Sequence, residues 1–374
     1  MAGRSSQADT RGSNFFSNFV SGKSRDFHSA KSAYSILPFS ASGGSTVESG
    51  GFKYHVFTTS GALVVESKSN DIYYAVVGGG GGGGNQHSAG GGAGGFRTNH
   101  PGSSPGGPGT SAEASYPVSP GTYNIVIGSG GLGAPAGPNK NAPAGGYSSF
   151  NTGGTNGGAV IRSEGGGDGA GWNSSTQPSG TPGLGGVGGS GGGSSYDRPN
   201  TTRAQAGYVG GDPTTPTPIQ GYPGGAYAGS VAHVGGGGGG AGGAGGDATW
   251  GGGGDPAANG VAGNGGIGRA NPALPGPIFT PIMPAPWVSA VAPQGYFAGG
   301  GGGAGYVPRS PANTSGTGGA GGGAPGYPTA PDVAGTGPAA EANTGGGGGA
   351  GNTNVVGGGA GGDGVVIIWY PTAA

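Results

Sequence analysis

Cysteine is absent from the 374 residues, which excludes a disulfide framework and any cysteine-ligated metal site. Charge is scarce as well: Asp, Glu, Lys and Arg make up 8% of the chain and the formal net charge is -1. The basic footprint that holds a nucleic-acid backbone is missing, and so are Arg-Gly-Gly repeats, so nucleic acid is not an expected partner. No apolar run reaches the ~18 residues that would span a bilayer as a helix. The opening MAGRSSQADTRGSNFF has no secretory-type apolar core. These absences predict synthesis in a cytoplasm without membrane insertion. A surface so poor in charge and so rich in Gly, Ser, Thr and Asn predicts a final location outside the producing cell, reached by lysis or virion assembly.

What the chain has instead is glycine, 105 residues, with 31 prolines. Aperiodic glycine and proline at this level usually signal low complexity, but flexible linkers carry more charge and fewer aromatics than this chain. The longest run is Gly235 to Gly246, GGGGGGAGGAGG. It has almost no side chains to bury, so it is either disordered or packed backbone against backbone. An extended helix of three residues per turn makes no internal hydrogen bonds. Ordered runs must therefore satisfy one another's amides, and glycine allows the close approach. A helix inside such a bundle needs glycine on all three faces, whereas an outer one carries side chains at every third position. Ala241 and Ala244 fit one face of a single helix; Ala89 and Ala93, or Ala320 and Ala324, are four apart and do not. Ordering a residue costs ~1–2 kcal/mol of backbone entropy, and a net hydrogen bond returns ~0.5–1.5 kcal/mol. The bundle should therefore need an apolar anchor.

Strand patterns supply the anchor. GFKYHVFTT (51–59) alternates, and ALVVE (62–66) follows after Ser60-Gly61, a turn of hairpin type. IYYAVV (72–77) runs straight into Gly78. YNIVI (123–127) follows the turn residues Ser119-Pro120-Gly121, and GVVIIWY (364–370) ends the pattern. An isolated strand is unstable, so the last is expected to pair back with the first ones, making 129–363 a single insertion. The predicted fold class is all-β/irregular: a small β-sandwich-like base (51–77, 121–128, 364–370) carrying a large bundle of polyglycine helices and loops (78–120, 129–363), with essentially no α-helix after residue 40. The segment Leu274 to Phe297 is expected to be a loop, being too rich in proline for a helix or an interior strand.

Two domains are expected, 1–44 and 45–374. The first carries Arg4, Arg11, Lys23, Arg25 and Lys31 against Asp9 and Asp26, with Phe15, Phe16, Phe19, Phe27 and Tyr34 interleaved. This composition suits an arm that folds onto a partner; a frayed terminus is the plainer reading. In the second, loops between glycine runs hold Trp172, Tyr196, Tyr208, Tyr222, Tyr227, Trp250, Trp287, Tyr296, Phe297, Tyr306 and Tyr327. Loops on a stiff scaffold are where binding usually sits, and aromatic rings beside Asn, Asp and Ser suit a glycan. The same rings could instead cap the bundle and bury its backbone.

Catalytic patterns do not stand out. Matches to G-x-G-x-x-G and to a nucleophile elbow at Gly188–Gly192 arise from glycine abundance and lack flanking strand and helix. Gly22-Lys23-Ser24 lacks the glycine a phosphate loop needs at position 17. His28, His55, His87, His100 and His233 have no metal-ligand spacing. The carboxylates Asp168, Asp197, Asp212, Asp247, Asp255, Asp332 and Asp363 are scattered, and glycosidase chemistry needs two that converge. The chain is expected to be neither an enzyme nor a cofactor protein, and no metal is expected.

FKYHVFTTSGALVV, YYAVVGGGGGGG, PGTYNIVIGSGG, GGYSSF (145–150) and GGDGVVIIWY, in that order, resemble the glycine-rich domain of bacteriophage tail-fibre and virion surface proteins, over about residues 45 to 374. The resemblance implies a phage virion component whose apical loops contact a host receptor, a surface glycan or outer-surface protein, while residues 1–44 dock on other virion proteins. Its loops are longer and richer in proline than in compact adhesins of that type. A decoration or appendage protein of head or tail, and a subunit of self-assembling extracellular filaments, are the alternative readings. A trimer and closure within one chain both stay open.

Overall fold

The computed structural model describes residues 38–137, 142–171, 185–195, 218–227, 233–250, 259–305, 313–328, 335–353 and 355–372. The chain divides into two units, Met1–Phe39 and Ser40–Ala374, and the architecture below is that of the second. It begins five residues ahead of the expected boundary at 45, because Ser40 already lies in a strand.

The strands are β1 (Ser40–Ser42), β2 (Ser45–Ser49), β3 (Phe52–Phe57), β4 (Gly61–Ser67), β5 (Asn70–Val77), β6 (Phe96–Thr98), β7 (Tyr116–Val118), β8 (Gly121–Val126), β9 (Ser148–Phe150) and β10 (Ile161–Ser163). Two-residue pairs follow, β11 (Thr249–Trp250) with β12 (Gly260–Val261), β13 (Arg269–Ala270) with β14 (Tyr296–Phe297), and β15 (Gly335–Thr336) with β16 (Val356–Gly357), before β17 (Val365–Pro371). One sheet has the order β1-β4-β8-β9-β10. The other has the order β2-β3-β17-β5-β6, with β7 also on β5. The last strand is therefore central, antiparallel to β3 on one side (Ile368 opposite His55) and to β5 on the other (Ile368 opposite Tyr74). The return of the C-terminal strand, expected from its apolar isolation, is what the fold shows.

Both faces of this second sheet are covered, which is why IYYAVV and VVIIWY are unbroken apolar runs. On one face Tyr74 meets Tyr116 edge-on, Tyr116 meets Phe150 at 5.1 Å, and Tyr123 stacks on Phe150 at 5.7 Å. This chain of rings joins the two sheets. On the other face Tyr54, Val56, Val77, Val365, Ile367 and Trp369 pack with Leu274, Phe279, Met283, Trp287, Val291 and Phe297. The proline-rich segment is thus a cover, and it is partly helical: α1 (Ala285–Val291) follows a 3-10 turn at Gly276–Phe279. The expectation of a loop fails because these prolines sit in the first turn, where the amide has no intrahelical partner to lose.

A second departure concerns Ser60-Gly61. β3 and β4 belong to different sheets, so no hairpin forms there. A two-residue hairpin turn needs positive φ at one or both positions, and neither residue has it; Gly50 (φ 58) and Gly51 (φ 79) do, and they join β2 to β3.

From Val77 the chain passes directly into Gly78–Gly84, where successive amides serve different neighbours. Gly78, Gly81 and Gly84 donate to the carbonyls of Gly95, Gly92 and Ala89; Gly79 and Gly82 to Gly146 and Pro143; Gly80 and Gly83 to Gly362 and Gly359, all at 2.8–3.1 Å. Partner numbers fall in steps of three, so these neighbours run antiparallel. The carbonyls of Gly79 and Gly82 accept from Gly166 and Gly169, those of Gly80 and Gly83 from Gly131 and Ala134, and those of Gly81 and Gly84 from Gly348 and Gly351. Here the numbers rise, and the neighbours run parallel. A three-residue repeat with every bond leaving the helix is the extended threefold geometry, here at the centre of a ring of six such helices. Ala89–Gly95, Gly235–Gly240, Gly299–Ala304 and Gly345–Gly351 are bonded on several sides in the same way. A Cβ at Gly80, Gly81 or Gly82 would lie 1.9, 2.1 or 2.0 Å from the carbonyl oxygens of Gly346, Gly167 or Leu132, so all three faces demand glycine.

Outer helices follow the complementary rule. Ser129, Leu132 and Pro135 are exposed, as are Val261, Asn264 and Ile267, and Thr314, Thr317 and Ala320, in each case every third residue. The longest glycine run is not one helix. Gly237 and Gly240 donate to Gly246 and Gly243, so the run folds back on itself at 241–243. Ala241 is buried in this turn and Ala244 is exposed on the returning helix, which removes the shared face read from their spacing. Ala320 and Ala324 likewise flank a turn at Gly321 and Gly322 (φ +96 and +90).

Candidate functional site at the tip of the bundle

The molecule has two distinct ends. β5 rises from Asn70 to Val77 into the bundle and β17 descends from Val365 to Pro371 out of it. Ser40 pairs with Ser67, at the edge of its sheet away from the bundle. Ser40 and Thr372 thus both lie at the base. At the other end the helices close in polar turns. Gly78–Gly84 turns through Asn85–Ser88, all four residues buried, with Gln86 (φ 56) and His87 (φ 51) in the left-handed region. Asn85 Nδ2 donates to the carbonyls of Pro135 (3.0 Å) and Gly137, and Ser88 Oγ to that of Gly351 (2.7 Å). Nearby, Gly260 N donates to Asn313 Oδ1 (2.7 Å), Ser195 Oγ to the Gly171 carbonyl (2.8 Å) and Asn352 Nδ2 to that of Pro328 (3.3 Å). Side-chain amides and hydroxyls here satisfy the backbone groups that run out of helical neighbours.

His87 and His233 meet in this region, Nδ1 to Nδ1 at 2.8 Å. At that distance one imidazole donates and the other accepts. Their separation of 146 positions leaves no local sequence signal. Gln86 Oε1 and Asn352 Oδ1 are buried there without a hydrogen-bond partner among the described residues.

Residues 137, 171, 195, 227, 233, 250, 259, 305, 313, 328, 335, 353 and 355 all sit at this tip, because the residues beside them pair, directly or through one neighbouring segment, with the upper ends of Gly78–Gly84 and Gly235–Gly240. The chain therefore leaves the described bundle mostly at one end.

Those of the aromatics expected to bind that lie among the described residues divide between the two ends. Trp287 and Phe297 are core residues of the base, 0% exposed; Trp287 Nε1 donates to the Asn343 carbonyl at 2.8 Å. The proline-rich segment packs beneath the sheet rather than reaching the apex, so neither ring is available to a receptor. Tyr222 and Tyr296 are half-buried at the base end. At the tip, Tyr227 is buried against Val234, Ala248 and Ala262, a capping position, Tyr327 is half-buried, and Trp250 ends β11. Trp172, Tyr196, Tyr208 and Tyr306, and the arm residues Phe15, Phe16, Phe19, Phe27 and Tyr34, lie outside the described residues. Trp172, Tyr196 and Tyr306 directly follow Gly171, Ser195 and Gly305 of the tip.

The scattered carboxylates serve the backbone. Asp247 Oδ1 accepts from Ala226 N (2.8 Å) and Asp363 Oδ1 from Gly130 N (2.7 Å). Asp168 is buried inside the bundle, and desolvation pushes its pKa up to about 6. Asp197, Asp212, Asp255 and Asp332 lie outside the described residues. His55 is sealed in the base between the Gly43 carbonyl (2.7 Å) and the Tyr370 hydroxyl (3.1 Å), and burial lowers its pKa. His100 packs against Tyr73 and Trp369; His28 lies outside the described residues.

Curated proteins provide no match to the chain. A family profile does: that of the glycine-rich domain aligns with residues 58–371, from the end of β3 through the bundle to the last residue of β17. With that match spanning most of its length, the chain belongs to the glycine-rich domain family.

Proposed function

We propose that the chain is a bacteriophage virion surface protein acting as a non-enzymatic adhesin, with loops at the tip of the polyglycine bundle meeting a host surface glycan or outer-surface protein. The observation that carries this reading is the separation of ends. Ser40, where the arm joins, is at the base, while most exits from the bundle are at the far end, on a scaffold whose helices are cross-bonded through the backbone. Binding usually sits on loops that a stiff scaffold carries. The arm, which the unit boundary shortens from the expected 1–44 to 1–39, has basic residues and interleaved rings and would dock on other virion proteins.

Adsorption tests this. Purified full-length protein should bind host cells and compete with virions for them. Replacing Trp172, Tyr196, Trp250 and Tyr306 together with alanine should abolish competition without changing thermal stability. Wild-type protein that neither binds cells nor competes would leave a decoration or appendage role instead.

A further inference from the structure

The described arginines differ in one respect. Arg97 is paired with Glu113 and Arg162 with Glu164. Arg269 has no carboxylate partner among the described residues. It is half-buried and held by neutral oxygens: Nε donates to the Ser104 carbonyl (3.1 Å), and Nη2 donates to Ser104 Oγ and to Thr110 Oγ1 (3.3 Å). Nη1 makes no protein hydrogen bond among these residues. A guanidinium stays charged at any physiological pH, so this charge is held by neutral oxygens, partly desolvated and without an ion-pair partner among the described residues.

Arg269 borders an open cleft of about 400 Å³ whose walls also include Ser103, Ser104, Ile267 and Tyr296. The walls are braced. Ser103 Oγ donates to the Ala270 carbonyl (2.7 Å), Ala270 pairs with Tyr296 across β13 and β14, and Tyr296 OH donates to Gln294 Oε1 (3.2 Å). Tyr296 is half-buried, so part of it remains accessible. The cleft thus combines a held cation with open N–H groups, a fixed aromatic ring and hydroxyls with spare lone pairs.

We propose that this cleft binds an acidic saccharide, a carboxylate-bearing sugar such as a hexuronate, with the carboxylate on Arg269 Nη1 and a sugar face against Tyr296. A charge-assisted bond to a positioned guanidinium suits a carboxylate, and an amphipathic aromatic beside it suits the C–H face of a pyranose. The cleft is at the base end of the bundle, so the proposal stands apart from the reading of the tip.

Titration calorimetry on the full chain would use a trigalacturonate, the matching neutral galactose trisaccharide and inorganic sulfate. The trigalacturonate should bind and weaken as salt is added, while the neutral sugar and sulfate should bind at least about tenfold more weakly. Arg269→Gln and Tyr296→Ala should each lower trigalacturonate affinity about tenfold. Thermal unfolding of both variants would check that the fold is kept, and the wild-type comparison of ligands needs no variant. Equal binding of acidic and neutral sugars, sulfate binding as tight as trigalacturonate, an unaltered affinity in Arg269→Gln, or no binding at all would each overturn the proposal. Host adsorption through the tip would be untouched by Arg269→Gln, so the two readings fail separately.

Discussion

A glycine in the bundle interior is defined by what surrounds the hydrogen it has in place of a side chain. At Gly81 an added methyl would sit 2.1 Å from the Gly167 carbonyl oxygen, whereas at Gly61 nothing lies within 4 Å. Overpacking costs ~1–3 kcal/mol and sometimes more, and here the obstacle is backbone that six helices hold in place. Gly81→Ala should therefore destabilise the protein by at least that amount in urea unfolding, while Gly61→Ala stays within ~0.5 kcal/mol. Asp168 gives a second test at this scale. Burial raises its pKa to about 6 from 3.8, so the folded state holds the proton more tightly than the unfolded chain. Stability from this group is fully present below pH 4 and lost as pH rises through about 6. Asp168→Asn should stabilise the protein at pH 8 by up to ~3 kcal/mol, since a tenfold change in proton affinity is worth ~1.4 kcal/mol, and the gain should vanish near pH 4. His55 acts in the opposite sense: with its pKa lowered by burial, the unfolded chain takes up the proton first, and stability falls as pH drops below about 6.5. Thermal midpoints of the two proteins across pH 4–8 separate the effects, because His55 contributes equally to both.

At the scale of elements, the strands were legible where burial on two faces wrote an unbroken apolar run, as in 72–77 and 364–370. β9 and β10 were not, since three residues are too few to show a period. The Ser60-Gly61 misreading has the same root: a turn signal says that the chain bends, not which sheet receives it. The cover segment hid its helix because proline counts against a helix only beyond the first turn. This segment also decides what Trp287 is for. Its ring is buried between Phe279 (5.4 Å) and Phe297 (5.9 Å), a packing position that sequence could not tell from an exposed loop aromatic. Trp287→Ala should cost ~3–5 kcal/mol, measured as a fall in denaturant midpoint at unchanged m-value. An unchanged midpoint would mean that the segment does not cover the sheet.

Across the whole molecule, the bundle poses a problem that the strands solve. Glycine runs are interchangeable, so nothing in them says which should neighbour which, and the order of helices could not be read from sequence. The threefold rule for outer helices could be, and it holds at Leu132 and Ile267. Register must come from the ends, where β5 and β17 deliver Gly78 and Gly364 side by side, and where Asn85, Ser88 and Asn313 close the tip. Since each glycine hydrogen bond returns no more than its ordering costs, the bundle should have no stability of its own. It should open only when the apolar base opens. Trp369 tests this, being 1% exposed and packed on Tyr54 (6.3 Å) and Tyr73 (5.6 Å), far in sequence from Gly237, Gly238 and Gly239, whose amides bond to Gly246, Gly301 and Gly191. If base and bundle form one cooperative unit, Trp369→Ala should reduce the hydrogen-exchange protection of those amides by the same ~3–5 kcal/mol that it removes from global stability. Protection that stayed at the wild-type level while the base was destabilised would show that polyglycine helices hold together unaided, and the anchoring role assigned to β17 would fall.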